Sequence, residues 1–155
     1  MIHFKIISRI LGLLLFIEAL FMLVALGVSV YYDEHIIPAY IYAIANTLAA
    51  GALLLYCGRG KERNISRKDG YIVVSSAWII FSIFGSILYL ISGYIPSVSN
   101  AFFETISGFT TTGATILDNI EEFPPSLLLW RSMTHWIGGL GIVFFTVAIL
   151  PVFGM

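Results

Sequence analysis

Thr110, Thr111, Thr112 and Gly113 are the residues of this chain best placed to do chemistry, and the chemistry they offer is cation coordination. They lie in the stretch SGFTTTGATI, residues 107–116, where three threonines and a glycine interrupt a strongly apolar sequence. A short helix is expected to end near Phe109. Beyond it the carbonyls of Thr110, Thr111, Thr112 and Gly113 have no intrahelical partner, and a dehydrated cation is one species able to occupy them. The C-terminal end of that helix carries partial negative charge, which also favours a cation. Gly113 supplies backbone angles closed to other residues, letting a carbonyl turn inward. The threonines are expected to pack through their methyls and keep their hydroxyls available. In a water-soluble protein the same residues would read as a helix with a glycine cap, so the surroundings must decide.

Other side chains near this stretch have polar chemistry of their own. Glu104 falls within the short helix, and an ionisable group at membrane depth is a functional candidate by default. It is placed to pair with Arg131, or to attract cations. Arg131 and His135 are four apart and share a helix face. His135 is a candidate proton-sensitive group, or a structural histidine bonded to a neighbouring loop. Gly138, Gly139 and Gly141 remove side chains from one helix and invite close approach by another backbone. Glu18 sits mid-way along the first apolar run with no evident partner. Ser107 and His135 raise the thought of an intramembrane hydrolase, but the serine precedes a turn without a nucleophile-positioning motif, and no enzyme activity is expected.

The elements that must position these residues are set by composition. Of the 155 residues 59% are hydrophobic and only 11% charged, and the mean hydropathy is +0.95, values outside the range of a water-soluble domain. The net charge of -1 says little, because in a membrane chain the placement of charges matters more than their sum. The single cysteine, Cys57, excludes an internal disulfide and reads as an apolar wall residue. Charge-poor segments run over 10–32, 36–57, 71–95 and 127–150. At roughly 20 apolar residues per span these predict four crossings. The first is read as a retained helix, since no small-residue cleavage pattern follows it.

Five of the eight Lys and Arg residues fall in RGKERNISRKD, residues 59–69, and Lys5 and Arg9 precede the first helix. Both regions are therefore expected on the cytoplasmic side, with the N-terminus. The segment 97–125 must then begin and end outside. Its helix, about 99–109, reaches only about half-way through the hydrocarbon core at 1.5 Å per residue. Such a segment is a re-entrant loop, and non-helical backbone at that depth is tolerated only where protein buries it or water lines it. The acidic residues Asp33, Glu34, Asp118, Glu121 and Glu122 put negative charge outside, a field that raises local cation concentration. The fold expected is an all-α integral membrane protein with four transmembrane helices plus one re-entrant half-membrane pore helix and its filter loop.

The order helix, pore helix, TTTGAT and a helix carrying HWIGGLGIVFFTVAILPVFGM resembles the first membrane–pore–membrane repeat of the TrkH/TrkG/KtrB superfamily of potassium transporters, with TrkH the nearest branch. RKDGY at 67–71 resembles the end of that family's basic cytoplasmic loop. The resemblance implies two units: leading helices and basic loop over 1–69, and a repeat over 70–155 with helix 71–95, pore helix 99–109, filter 110–115 and helix 127–150. It implies potassium as substrate, bound by the carbonyls of Thr111 and Thr112 and flanked by Thr110 and Gly113, with no cofactor. It further implies a bacterial inner-membrane location, a TrkA-type cytosolic nucleotide-binding regulatory subunit and a dimer of the full-length chain. No nucleic acid is implied, and the bilayer is the remaining partner. One TTTG is present where the family uses four such loops, so a fragment of a longer transporter is expected. The alternative is a noncatalytic membrane assembly protein in which the loop only packs.

Overall fold

The computed structural model describes residues 3–60 and 67–149, and these form five α-helices: α1 (Phe4–Tyr31), α2 (Ile37–Cys57), α3 (Arg67–Ser92), α4 (Val98–Phe109) and α5 (Pro125–Ile149), with a single 3-10 turn at Ile120–Glu122. Among the described residues there is no strand. Most of the basic loop, residues 61–66, and the C-terminal residues 150–155 lie outside the described residues. Among the described residues three helices are long and apolar enough to cross a membrane: Phe4–Tyr31, Ile37–Cys57 and Asp69–Ser92.

The helix limits follow from local chemistry. α1 begins at Phe4 rather than Ile10, since nothing between them breaks a helix and Lys5 and Arg9 simply occupy its first turns. His3, just before it, is held by Asp69 at the start of α3: the His3 amide donates to Oδ1 at 3.0 Å, and Nδ1 meets Oδ2 at 2.8 Å. α3 starts at Arg67, four residues before the apolar segment, with Asp69 in its first turn, where a carboxylate complements the helix dipole. It stops at Ser92 instead of 95 because Gly93 takes φ +78°. α5 opens at Pro125, whose missing N–H is not needed there.

All five helices share one core. Leu15 and Met22 from α1, Tyr40 from α2, Leu88 and Tyr89 from α3, Phe109 from α4, and Leu127 and Trp130 from α5 are fully buried in one cluster. α1 packs against α2, α3 and α5, and α4 lies against both α3 and α5. The leading hairpin is thus part of the same body as the later helices. The opposite face of α1 presents Leu13, Phe16, Ile17, Leu20, Leu23 and Val24 outward, an apolar surface too continuous for water. Cys57, expected as a wall residue, is exposed at the last position of α2.

Candidate functional site: the 110–115 loop

α4 is twelve residues long and ends at Phe109. Its termination is a Schellman motif centred on Thr111: the Thr112 amide donates to the Ser107 carbonyl at 2.9 Å and the Thr111 amide to Gly108 at 2.9 Å. That motif needs a left-handed residue, and Thr111 supplies it at φ +57°. The sequence pointed to Gly113 as the residue of special geometry. Gly113 does sit at φ +77°, but the helix is closed two residues earlier by a β-branched threonine, for which positive φ is a genuine outlier. Two left-handed residues so close together swing the backbone out of the helical path. Among the described residues, the carbonyls of Thr110, Thr111, Thr112 and Gly113 accept no hydrogen bond.

The threonine hydroxyls are not all left available. Thr110 Oγ1 bonds the Ile106 carbonyl at 2.7 Å and lies 2.9 Å from Thr112 Oγ1. Ser107, considered above as a nucleophile, donates Oγ to the Ala114 carbonyl at 2.6 Å, tying the loop's far side back to the helix. The loop is therefore braced from within α4. Residues 111–115 are nevertheless exposed at the surface of these five helices.

Glu104 holds the far end of the loop. Its side chain is 1% exposed, and three donors converge on its carboxylate. Thr115 Oγ1 lies 3.1 Å and 3.0 Å from its two oxygens, the Ile116 amide donates to Oε2 at 3.1 Å, and Arg131 Nε donates to Oε1 at 2.6 Å. A buried carboxylate is tolerable because it is paired and hydrogen-bonded at both oxygens. The arrangement joins α4, the residues after the loop and α5 at a single point. Thr115 had no signal in the sequence beyond its place in TTTGAT, since its role depends on the loop folding back to Glu104 in the preceding helix.

α5 supports the loop from behind. A methyl group at Gly138 would overlap the Phe109 carbonyl, and one at Gly108 would overlap the Thr134 hydroxyl. The two helices touch backbone to backbone at Gly138 and backbone to side chain at Gly108, without room for more. Gly139 has only an ordinary contact to the Thr111 methyl at 3.9 Å and Gly141 faces nothing within 4 Å, so close packing falls on Gly138 alone of the three. Phe109 lies between Phe81 and Trp130, with ring centroids 5.2 Å and 6.4 Å away. Among the described residues the hydrogen bond of His135 stays within its own helix: its Nδ1 lies 2.9 Å from the Arg131 carbonyl. Ser107 and His135 share no hydrogen bond among the described residues.

The remaining acidic candidates separate. Asp118, Glu121 and Glu122 are exposed, and Glu122 accepts from Asn119 Nδ2 at 2.6 Å. Glu34 instead reaches α5, where Oε1 accepts from the Ser126 amide at 3.1 Å and Oε2 from its hydroxyl. Glu18 is buried, and its carboxyl oxygens have no hydrogen bond among the described residues.

A chain with several membrane-length apolar helices, and a half-length helix that gives way to an irregular loop between two of its longer helices, belongs to the class of multi-pass membrane proteins. Residues 36–155 match the family model of TrkH, described as a cation transport protein. The chain is 35% identical over 152 residues to the Trk system potassium uptake protein TrkH of Halomonas elongata, covering 97% of this chain and 32% of that protein. It is 32% identical over 154 residues to the Escherichia coli K12 protein of the same name, covering 99% and 32%. The crystal structure of the potassium transporter TrkH from Vibrio parahaemolyticus superposes with a TM-score of 0.89 at 35% identity, over 98% of this chain and 33% of that one. This chain belongs to the TrkH family of cation transport proteins. It spans about a third of the length of the curated relatives it matches.

Proposed function

We propose that these residues supply one of the ion-coordinating loops of a potassium uptake pathway, with the carbonyls of Thr111 and Thr112 facing the ion and those of Thr110 and Gly113 beside them. The observation that carries this reading is the run of four successive carbonyls without hydrogen-bond partners among the described residues, directly after a helix closed at a left-handed threonine. In such a site carbonyl oxygens replace the hydration shell of the cation. The names of the relatives, potassium uptake proteins, point to the same substrate.

The membrane arrangement that goes with it has four crossings, α1, α2, α3 and α5, with α4 and the loop re-entrant between the last two. Twelve residues of α4 extend about 18 Å, against a hydrocarbon core of about 30 Å. The division at 69/70 separates a leading hairpin from the unit that carries the loop. The basic residues of the α2–α3 connection set the N-terminus on the cytoplasmic side of a bacterial inner membrane. One loop is about a quarter of a closed ring, so the other quarters come from further loops. A TrkA-type cytosolic nucleotide-binding subunit and a second copy of the transporter are the partners this reading implies, and no catalytic step is involved.

The test is growth of a bacterium lacking its own potassium uptake systems, supplied with the protein as its gene encodes it. Growth at low potassium is expected for the wild-type protein and lost for Gly113→Leu, which places a branched side chain at φ +77° in the loop. Equal growth of the two would overturn the reading, as would a membrane-inserted wild-type protein that carries no potassium.

A further inference from the structure

α5 begins at Pro125-Ser126 directly after Pro124, a start without a side-chain cap of its own. Neither proline has a side chain able to accept a bond, and neither has an N–H, so the first amide needing a partner is that of Ser126. Its partner lies 92 residues earlier in the chain, on the connection between α1 and α2. Glu34 takes both the amide and the hydroxyl of Ser126, one on each carboxylate oxygen. A carboxylate at that point also complements the positive end of the helix dipole.

The position of Glu34 is itself fixed. α1 closes in a Schellman motif with Asp33 at φ +50°. The Glu34 amide donates to the Ser29 carbonyl at 3.0 Å and the Asp33 amide to Val30 at 3.2 Å. The backbone of Glu34 is thus anchored to the end of α1 while its side chain reaches α5. Five residues further along α5, about 7.5 Å at helical rise, Arg131 grips Glu104, and Glu104 holds Thr115 and Ile116 at the end of the loop.

We infer that Glu34 is a positioning residue for the ion-coordinating loop: by capping α5 from the leading hairpin it sets the axial placement of Arg131, and through Glu104 that of the backbone after Gly113. This inference rests on the pathway reading above. It assigns the leading hairpin a role in ion binding, although the hairpin contributes no residue to the loop.

The experiment compares Glu34→Ala, Glu34→Gln and Ser126→Ala with wild type and with Gly113→Leu, in the protein as its gene encodes it. Each rate is normalised to the membrane-inserted amount. The readouts are the potassium concentration for half-maximal uptake, the maximal rate and the inhibition by sodium. Glu34→Ala is expected to raise the half-maximal concentration by about tenfold, the scale of one charge-assisted hydrogen bond, and to weaken discrimination against sodium. Glu34→Gln keeps an acceptor for the Ser126 amide and restores part of the loss. Ser126→Ala, which keeps the amide bond, falls between wild type and Glu34→Ala, and the Glu34→Ala/Ser126→Ala pair is no worse than Glu34→Ala alone.

The inference is overturned if Glu34→Ala inserts normally and keeps wild-type affinity and discrimination while Gly113→Leu abolishes uptake. A fall in maximal rate alone, with affinity and discrimination unchanged, overturns it equally, since a merely structural role predicts that. Where Glu34→Ala fails to insert, the Gln and Ser126→Ala variants decide by the same criterion. Uptake that survives Gly113→Leu would instead remove the pathway reading, and this inference with it.

Discussion

Thr111 is a β-branched residue at φ +57°, a conformation that costs about 1–3 kcal/mol for a non-glycine residue. The surrounding bonds hold it there: the amides on both sides of its peptide unit close the helix end, and Ser107 anchors the loop beyond it. Thr111→Gly is therefore expected to raise thermal stability, by about 1 kcal/mol once the added freedom of the unfolded glycine is subtracted. The same change frees the carbonyls to tilt, so discrimination between potassium and sodium should fall. Unfolding monitored by heat, alongside competition uptake, tests both. A variant that is less stable than wild type would show that the threonine side chain, rather than the backbone bonds, holds the turn. Glu104 gives the opposite case. Glu104→Ala leaves Arg131, whose side chain is 20% exposed, without its acceptor, and orphans the Ile116 amide. A loss of about 3 kcal/mol is expected, towards the low end for breaking a buried pair. Glu104→Gln, which still accepts from the loop, should lose about half of that. Equal stability of all three proteins would mean that the ion pair contributes nothing.

At the scale of the elements, α4 and α5 meet through glycine. Gly138→Ala drives a methyl into the Phe109 carbonyl, and backbone does not yield as a side-chain tip does, so a loss of about 2–3 kcal/mol and a displaced loop are expected. Gly141→Ala, with nothing within 4 Å, should be neutral or gain about 0.5–1 kcal/mol from helix propensity. The two variants, unfolded side by side and assayed for uptake, separate packing from propensity within one helix. A glycine pattern written in the sequence cannot make that separation, because Gly138, Gly139 and Gly141 look alike there, and only the neighbour's placement distinguishes them. The same limit applied elsewhere. The half-length of α4 was legible, since apolar content and the run of threonines are local signals. The ion pair was suggested by two charges isolated among apolar residues. The capping of α5 by Glu34 was not legible, because a bond across 92 residues leaves no periodicity. The bond of His135 to the Arg131 carbonyl, one turn back, is available to any histidine in a helix and leaves no signal in the sequence. The ends of α1 and α3 differed from the apolar boundaries because helices continue through charged residues until a breaker such as Gly93 stops them.

The whole molecule has a closed side and an open one. Phe109, Trp130, Leu88 and Tyr89 are buried behind the loop, while residues 111–115 are exposed, so the packing that fixes the loop lies within these five helices and the surface it presents faces away from them. One side of an ion cannot satisfy it: a cation stripped of water needs oxygens around it. A single loop offers four carbonyls from one direction, and the rest of the hydration shell would remain water, without the selectivity that dehydration gives. Potassium binding should therefore be a property of the assembled loops rather than of this segment. A ligand that binds only the folded state stabilises it, by about 2.7 kcal/mol at a hundredfold excess over its dissociation constant. The protein as its gene encodes it is accordingly expected to unfold at a higher temperature in potassium than in sodium or lithium at equal ionic strength, and the difference should vanish in Gly113→Leu. Residues 1–155 without further loops should show no such difference. A potassium-specific shift in those residues alone would place a complete site within one loop and its neighbours, and the quarter-ring account would fail. No shift in the protein as its gene encodes it, with uptake still present, would mean that ions pass the loop without dwelling there, and the carbonyls would then line a path without forming a binding site.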